Sequence, residues 1–335
     1  MLRHNGAKRG KTKPRALNFA LGFNRGDIIG VLDAEDAPER DQLLKVANHF
    51  ALADSRLVCL QGRLDFYNAH RNWLTRCFAL EYAAWFHVIL PSLARLGFAL
   101  TLGGTGMYIR RSALIDLKGW DAFNVTEDAD LGLRLSRAGL RCALLDRKTF
   151  EEATKTPLTW IKQRSRWQKG YFMTYWCHNR SPKQLLADLG IWRWIGVHAL
   201  FFPPIATFLF APLFWIFWCV AAGLVARQDL APSHGYSNAI GVLIALALPT
   251  DGAIGVMAVE KSGHKGLKRW LPLQLIYFAM ATLSAYKAFY SLIVNRFHWA
   301  KTAYGDQFSQ SWAGLPNLYV DSDFCFKRVT KADDK

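Results

Sequence analysis

The chain has 335 residues, of which 51% are hydrophobic, and it contains 13 Trp and 22 Phe. This apolar content exceeds the needs of a soluble globule, and because the excess lies in the C-terminal half, we expect a soluble-type domain joined to a membrane region. The net charge of +16 fits an anionic lipid surface or a phosphorylated substrate. The Arg and Lys residues form no recognisable nucleic-acid module, so nucleic acid is excluded as the predicted partner.

The first half of the chain alternates predicted helices and strands. A helix is predicted over 16–24, and the apolar β-branched run 28–32 is typical of a buried parallel strand. Pro38 begins a predicted helix that continues to residue 50, and 57–61 is a second predicted strand. This alternation indicates the α/β class.

Acidic residues follow the first predicted strand. Asp33 and Glu35 lie two positions apart at its carboxyl end, where ligands of open α/β sheets gather. Two carboxylates at this spacing can bind one hard cation such as Mg²⁺. The alternative is a solvated acidic loop that precedes the next helix.

An aromatic-rich stretch, 73–96, predicts one or two core helices. Two loops that could bind a ligand or carry a catalytic residue follow it. The segment Leu102-Gly103-Gly104-Thr105-Gly106 would let the backbone approach a ligand closely, or would form a plain turn. Thr126-Glu127-Asp128 opens a predicted helix that stops at Gly139, and a strand is predicted over 140–145. Asp128 is the candidate general base, because backbone donors at a helix start hold a carboxylate in place; the alternative is a simple helix cap.

The segment 160–172 mixes cations with aromatic residues, which is typical of a helix in a membrane interface. Arg164 and Arg166 suit phosphate contacts, and Trp167 offers a flat face for a sugar ring. A membrane anchor alone would show the same composition. Pro182 is predicted to end this helix, and Trp192-Arg193-Trp194 to be an interfacial anchor.

Three apolar segments follow, at 195–226, 239–259 and 271–294. Each is long enough to cross a bilayer. The first two are predicted to cross, and the third is predicted to stay on, or re-enter from, the cytoplasmic side, because crossing would place 297–302 outside. The loop at 261–269 carries four cations, so the positive-inside bias places it in the cytoplasm.

These motifs in this order resemble family 2 glycosyltransferases of the processive, cellulose-synthase-like kind. The family pattern is a DxD, a TED and a Q(Q/R)xRW motif ahead of membrane helices. They match Asp33-Ala34-Glu35, Thr126-Glu127-Asp128 and Gln163-Arg164-Ser165-Arg166-Trp167. The resemblance implies a GT-A-like (Rossmann-like) α/β glycosyltransferase domain followed by interfacial and transmembrane helices.

The resemblance also implies roles for the donor side of the site. Lys13 and Asp33 would contact the nucleotide of a UDP-sugar, and Asp33 with Glu35 would hold Mg²⁺ or Mn²⁺. Asp128 would be the general base, and Glu127 would belong to the same catalytic motif.

On the acceptor side, Gly104 and Thr105 would line the path. The remaining implied contacts hold the pyrophosphate and the acceptor sugar, and they come from Gln163, Arg164, Arg166 and Trp167. The stretch 297–302 resembles a cytoplasmic gating loop, in which Trp299 and Lys301 would contact substrate.

Two departures from the family pattern matter. Glu35 stands where Asp is usual, and the uracil-binding strand that begins the family domain is absent ahead of Lys11. We therefore expect an N-terminally truncated form. Whether this truncated chain is active alone is left open.

The predicted organisation is a partial transferase domain over 1–155, interfacial helices over 156–194, a transmembrane region over 195–294 and a cytoplasmic gating-loop-like tail over 295–335. The predicted function is transfer of a hexose from a UDP-sugar onto a growing β-glycan with inversion, by an integral membrane protein whose catalytic domain is cytoplasmic and contacts membrane lipids. The alternatives are a non-processive lipid glycosyltransferase, with a lipid acceptor, and a non-catalytic membrane module. The pattern identifies no export partner.

Overall fold

The computed structural model of this chain describes residues 12–224 and 234–294. Within these residues the strands form one five-stranded sheet in the order β1-β4-β3-β5-β2. The strands are β1 (Ile28–Val31), β2 (Ala37–Pro38), β3 (Leu57–Phe66), β4 (Met107–Arg110) and β5 (Arg141–Glu151).

The pairing of β1 differs from its prediction as a parallel strand. It runs antiparallel to β4, with Ile28 opposite Arg110 and Val31 opposite Met107. Ile29 and Val31 are buried as the apolar run predicts. An apolar run reports burial, whereas the direction of the partner depends on the path of the whole chain, which explains the error. In the described sheet only β3 and β5 pair in parallel.

Ten α-helices are described. They are α1 (Lys13–Leu21), α2 (Gln42–Leu52), α3 (Trp73–Ala84), α4 (Leu90–Arg95), α5 (Arg111–Asp116), α6 (Glu127–Arg137), α7 (Pro157–His178), α8 (Pro182–Ala221), α9 (His234–Ser262) and α10 (Gln274–Val294). A π-helical turn, Trp85–Ile89, joins α3 to α4, and a 3₁₀ segment, Lys265–Leu273, lies between α9 and α10.

The helix predicted to start at Pro38 begins instead at Gln42. Ala37 and Pro38 form the short strand β2, which pairs with β5 at the edge of the sheet. Proline is compatible with an edge strand because an edge residue need not donate to a second neighbour.

Helices cover both faces of the sheet, as expected for the α/β class. Val46 and Phe50 of α2 pack on one face with Leu60 and Tyr108. On the other face, Leu131 and other residues of α5 and α6 form a cluster with the neighbouring sheet positions. Successive side chains of β3 and β4 point to opposite faces of the sheet, so these strands contribute residues to both clusters.

A second core joins α3, α7 and α10. Phe78, Trp160 and Tyr277 are fully buried in it. Trp160 therefore packs inside the protein, although the aromatic composition of its helix predicts a membrane interface.

By length and composition, two helical stretches among the described residues are able to cross a membrane: Trp73–Arg95 and Pro182–Val220. The first is 44% buried and the second 18%. We therefore assign the first to the core, as the sequence predicts. The second exposes large apolar side chains such as Phe202 and Leu213.

Helix α8 starts at the predicted helix stop, Pro182, and bends at Gly190. That residue has a φ of 72°, a conformation that disfavours side chains other than glycine. Trp192 lies just after the bend and donates from Nε1 to the Leu96 carbonyl at 2.8 Å. It thus contacts the protein as well as being half exposed.

The end of α9 returns to the sheet. Lys148 on β5 donates to Oδ2 of Asp65 at 2.7 Å and to the Ser262 carbonyl at 2.9 Å. Nε2 of His264 lies 2.8 Å from the other oxygen of Asp65. The cationic loop after α9 is thereby attached to the α/β layer.

Candidate active site

The loop after β1 is held by a carboxylate that the motif does not include. The backbone N–H of Asp33 donates to Oδ2 of Asp36 at 2.6 Å and to Oγ1 of Thr105 at 3.1 Å, and the Thr105 hydroxyl donates to the same Asp36 oxygen. Burial raises the pKa of Asp36 to about 6, against the effect of its hydrogen bonds. Asp36 thus fixes the acidic loop against the glycine loop.

Lys13, at the start of α1, lies between the same two loops. Its Nζ forms an ion pair with Asp33 and donates to the Gly104 carbonyl at 2.8 Å. Burial lowers the pKa of Lys13, but the charges of Asp33, Glu127 and Asp128 outweigh that effect and raise it. Lys13 therefore carries the positive charge of this cluster.

The candidate base Asp128 lies in the first turn of α6. Its Oδ1 accepts the backbone N–H of Ala129 at 2.9 Å, and the backbone of Gly104 also hydrogen-bonds to it. Burial raises the pKa of Asp128, which makes the carboxylate a stronger proton acceptor. A Cβ on Gly104 would lie 3.3 Å from Oδ2 of Asp128, so the glycine permits this close approach.

Glu127 is buried beside Asp128. Burial and the negative charge of Asp128 raise the pKa of Glu127 to about 8. The pKa values of both carboxyl groups are thus raised, and Glu127 is buried whereas Asp128 is partly exposed.

Asp33 and Glu35 are the candidate ligands of a divalent cation. Oδ1 of Asp36 and Oε1 of Glu151 are buried and have no hydrogen-bond partner among the described residues. Desolvation and the charges of Asp36 and Asp33 raise the pKa of Glu151 well above its usual range. The described residues contain no set of three His, Cys, Asp or Glu side chains arranged as metal ligands. One or two carboxylates with substrate phosphates are the usual ligands of Mg²⁺, so Asp33 and Glu35 remain suitable.

The Gln163–Trp167 motif lies on α7, and its side chains are divided among different surroundings. Gln163 is buried, whereas Arg166 and Trp167 are partly exposed. Arg164 pairs with Glu81 on α3, which lies outside the carboxylate cluster. The structure therefore brings Lys13, the acidic loop, the glycine loop and Asp128 together, and it places Arg164 in the second core.

Close contacts join α7 to the loop just before α6, the helix that carries the candidate base. A Cβ on Gly170 would lie 2.5 Å from Oγ1 and 2.8 Å from Cβ of Thr126, so this position has room for glycine alone. Asn124 accepts the N–H of Thr126 at 3.1 Å and donates to Thr174 at 2.9 Å. Neither Asn124 nor Gly170 is singled out by the motifs, because their importance comes from a contact between distant segments.

A buried charge network joins α6 to α7 and α8. Asp130 accepts from Arg134 at 2.7 Å and lies 2.9 Å from Nε2 of His178 on α7. Arg137 pairs with Asp188 on α8 at 2.7 Å and contacts the same histidine. The spacing of Asp130 and Arg134, i and i+4 on one helix, is the signal in the sequence that indicates part of this network.

The family profile described as glycosyl transferase family group 2 matches residues 28–227. This match covers more than half of the chain and includes the DxD-like, TED and Gln163–Trp167 motifs. The chain belongs to this family. The predicted resemblance to family 2 glycosyltransferases is thereby confirmed.

Relatives in the group 2 family include two kinds of enzyme. The chain is 31% identical over 191 residues to the beta-monoglucosyldiacylglycerol synthase of Synechocystis sp., covering 57% of this chain and 36% of that protein. It is 27% identical over 224 residues to the cellulose synthase 1 catalytic subunit [UDP-forming] of Komagataeibacter xylinus, covering 64% of this chain and 29% of that protein. The chain thus spans about a third of the length of the curated relatives that it matches.

Among solved structures, the mannosyltransferase PcManGT from Pyrobaculum calidifontis, in complex with GDP-Man and Mn²⁺, is 19% identical to this chain, with a TM-score of 0.43. The alignment covers 83% of this chain and 68% of that one. Trp299 and Lys301, predicted to belong to a gating loop, lie outside the described residues.

Proposed function

We propose that this group 2 glycosyltransferase moves a hexose from a UDP-sugar onto a growing β-glycan at the membrane surface, with inversion. The observation that carries the proposal is the position of Asp128 against Gly104 and close to the Lys13–Asp33 pair. A proton acceptor and a cationic site for a donor diphosphate are thereby adjacent.

Four side chains of the cluster, those of Lys13, Asp33, Glu35 and Asp128, take part in the proposed reaction. Lys13 and Asp33 bind the nucleotide, and Asp33 with Glu35 would hold a divalent cation. Mg²⁺ or Mn²⁺, when bound, neutralises charge on the UDP leaving group. Asp128 accepts the proton of the acceptor hydroxyl as that oxygen attacks the anomeric carbon from the face opposite UDP, which inverts the configuration.

The acceptor side is formed by α7. Arg166 suits the diphosphate because a guanidinium binds phosphate oxygens in a bidentate manner, and Trp167 gives the acceptor sugar a planar apolar face. The contact of Gly170 with Thr126 holds this helix at a fixed distance from the base. Gln163 and Thr105 complete the proposed acceptor path.

A lipid acceptor is the second candidate. The similarity to a beta-monoglucosyldiacylglycerol synthase favours it, as does the apolar surface of α8 beside the transferase domain. The donor chemistry is the same in both cases, so the product alone distinguishes them.

Membranes that contain the full chain should be incubated with radiolabelled UDP-sugars, each with and without diacylglycerol and each with and without Mn²⁺. The expected product is a polymer, and a labelled glycolipid would favour the second candidate instead. Asp128→Asn membranes are the matched control. Absence of any labelled product from the parent with every donor would refute the proposed activity.

A further inference from the structure

Protein groups bind the guanidinium of Arg164, whose Nε is buried without a hydrogen-bond partner among the described residues. Its Nη2 donates to Glu81 and, at 3.1 Å, to the hydroxyl of Tyr277. The same hydroxyl accepts from Nε1 of Trp160 at 3.0 Å and donates to Glu81. A tyrosine hydroxyl has one proton and two lone pairs, so this one is fully used and holds its partners in one arrangement.

Aromatic rings enclose the same guanidinium. Its central carbon lies 4.9 Å from the ring centroid of Trp167 and 5.1 Å from those of Phe78 and Trp160. Phe78 also contacts Trp167, with 6.1 Å between the ring centroids. Trp167 is therefore packed against two groups, Phe78 and the Arg164 guanidinium.

The helix that carries the motif is also joined to α10 further along. Nε2 of Gln168 lies 3.5 Å from the Ala281 carbonyl, and Nζ of Lys169 donates to Ser291 at 3.0 Å. The bonds of Trp160 and Arg164 to Tyr277 thus belong to a series of contacts that align α7 with α10.

We infer that Arg164 is a positioning residue for the acceptor: it holds the indole of Trp167 through stacking and through Glu81 and Tyr277, and it makes no contact with the donor diphosphate. This inference rests on the proposed function, in which Trp167 is the acceptor platform. The two arginines of the motif then have different roles: Arg164 positions Trp167, and Arg166 contacts the diphosphate.

Lysine cannot replace Arg164 in this role. An ammonium group retains the charge beside Glu81, but it lacks the planar surface that stacks on an indole. Arg164→Lys should therefore loosen Trp167 while the charge pair persists.

The first test separates acceptor from donor in the full-length enzyme. Arg164→Lys should raise the KM for the acceptor by roughly 5- to 30-fold, as expected for loss of a desolvated cation–π contact. The KM for the UDP-sugar and the rate of donor hydrolysis by water should stay within about twofold of the parent. Tyr277→Phe, which removes one hydroxyl, should shift the acceptor KM in the same direction by less. Lys162→Ala, an exposed change on the same helix, is the control.

The second test is a double-mutant cycle. If Arg164 acts through Trp167, Arg164→Lys should add no more than about twofold to the acceptor KM once Trp167→Leu is present. Melting temperatures of all variants establish that each is folded.

A donor KM that rises in Arg164→Lys, or equal effects of this change with and without Trp167, would overturn the inference while the transferase activity stands. An unchanged acceptor KM in both Arg164→Lys and Tyr277→Phe would overturn it as well. A parent enzyme without transfer to any acceptor would remove the proposed function and, with it, this inference.

Discussion

Two neighbouring residues, Asp128 and Glu127, show how position sets the chemistry of a carboxyl group. Both lie in the first turn of α6, where the N–H groups of the helix favour negative charge. Asp128 is partly exposed and receives backbone hydrogen bonds, whereas Glu127 is buried. The sequence motif contains both residues, but only the structure shows that their surroundings differ.

Asp128→Asn should lower the transfer rate by about 10²- to 10⁴-fold, since a general base typically contributes that much. UDP affinity, measured by calorimetry, should change little because the substitution is isosteric. Asp116→Asn, at an exposed position on α5, is the control. Activity within about threefold of the parent would exclude Asp128 as the base.

Glu127 should make stability depend on pH. The pKa of its carboxyl is about 8 in the folded chain, above its value in an unfolded chain, so the folded state holds an extra proton between these values. Stability should therefore fall as pH rises from about 5 to about 8, and then level off. Glu127→Gln should reduce the dependence of the melting temperature on pH over this range, measured without divalent cation or UDP. Equal pH slopes for parent and variant would contradict the assignment.

Glu35→Ala and Asp33→Ala should each weaken the binding of UDP in the presence of Mn²⁺, because each removes one oxygen ligand. Calorimetry with and without the metal measures the effect, and Asp116→Ala is the control. If the parent binds UDP equally well in both conditions, neither residue has a metal-binding role.

At the scale of secondary-structure elements, the contact between α7 and the loop before α6 determines the site. Gly170 lets α7 approach Thr126, and the Asp130–His178 pair joins α6 to the C-terminal end of α7. The proposed base and the proposed acceptor platform belong to different elements, so the distance between them depends on this packing.

Gly170→Ala should destabilise the protein by about 1–3 kcal/mol through overpacking, and should lower transfer. Thr126→Ala in the same chain should restore part of the loss, because it removes Oγ1, which lies 2.5 Å from the new methyl group. Gly252→Ala on α9 is the control, since a Cβ there meets nothing within 4 Å. Chemical denaturation in detergent measures the changes. If Gly170→Ala and Gly252→Ala lower the free energy of unfolding equally, the Thr126 contact is unimportant.

At the scale of the whole molecule, the ends of two long helices lie at the transferase domain. The start of α8 is joined to α6 by the Arg137–Asp188 pair, and the end of α9 is joined to the sheet by Lys148 and Ser262. Because both ends lie at this domain, we propose that the cationic loop after α9 is on the same side of the membrane as the domain. Tyr277 and Ser291 of α10 both contact α7, which supports our proposal that α10 stays on the cytoplasmic side.

This arrangement can be tested with single cysteines in a chain cleared of its other thiols. Cysteine at Lys268 should resist a membrane-impermeant maleimide in intact cells and label after permeabilisation. Cysteine at Leu224, which is exposed beyond the end of α8, should label in intact cells. Labelling of the Lys268 position in intact cells would reverse the topology.

The sequence by itself determined the features that local patterns encode. Apolar runs located strands β1 and β3, the stop of α6 before Gly139 followed from a residue that tolerates the observed φ of 73°, and motif order indicated the family. These features depend on a residue and its near neighbours in the chain.

Tertiary structure alone decided the direction of β1, the role of Asp36 and the surroundings of Arg164. Arg164 and Glu81 are 83 positions apart, and Arg164 and Tyr277 are 113 apart. No periodicity connects such positions, and an arginine that binds phosphate has the same sequence signature as one that is paired in a core. The difference arises because burial removes the guanidinium from water, and only the folded chain supplies the carboxylate and the rings that compensate for that loss.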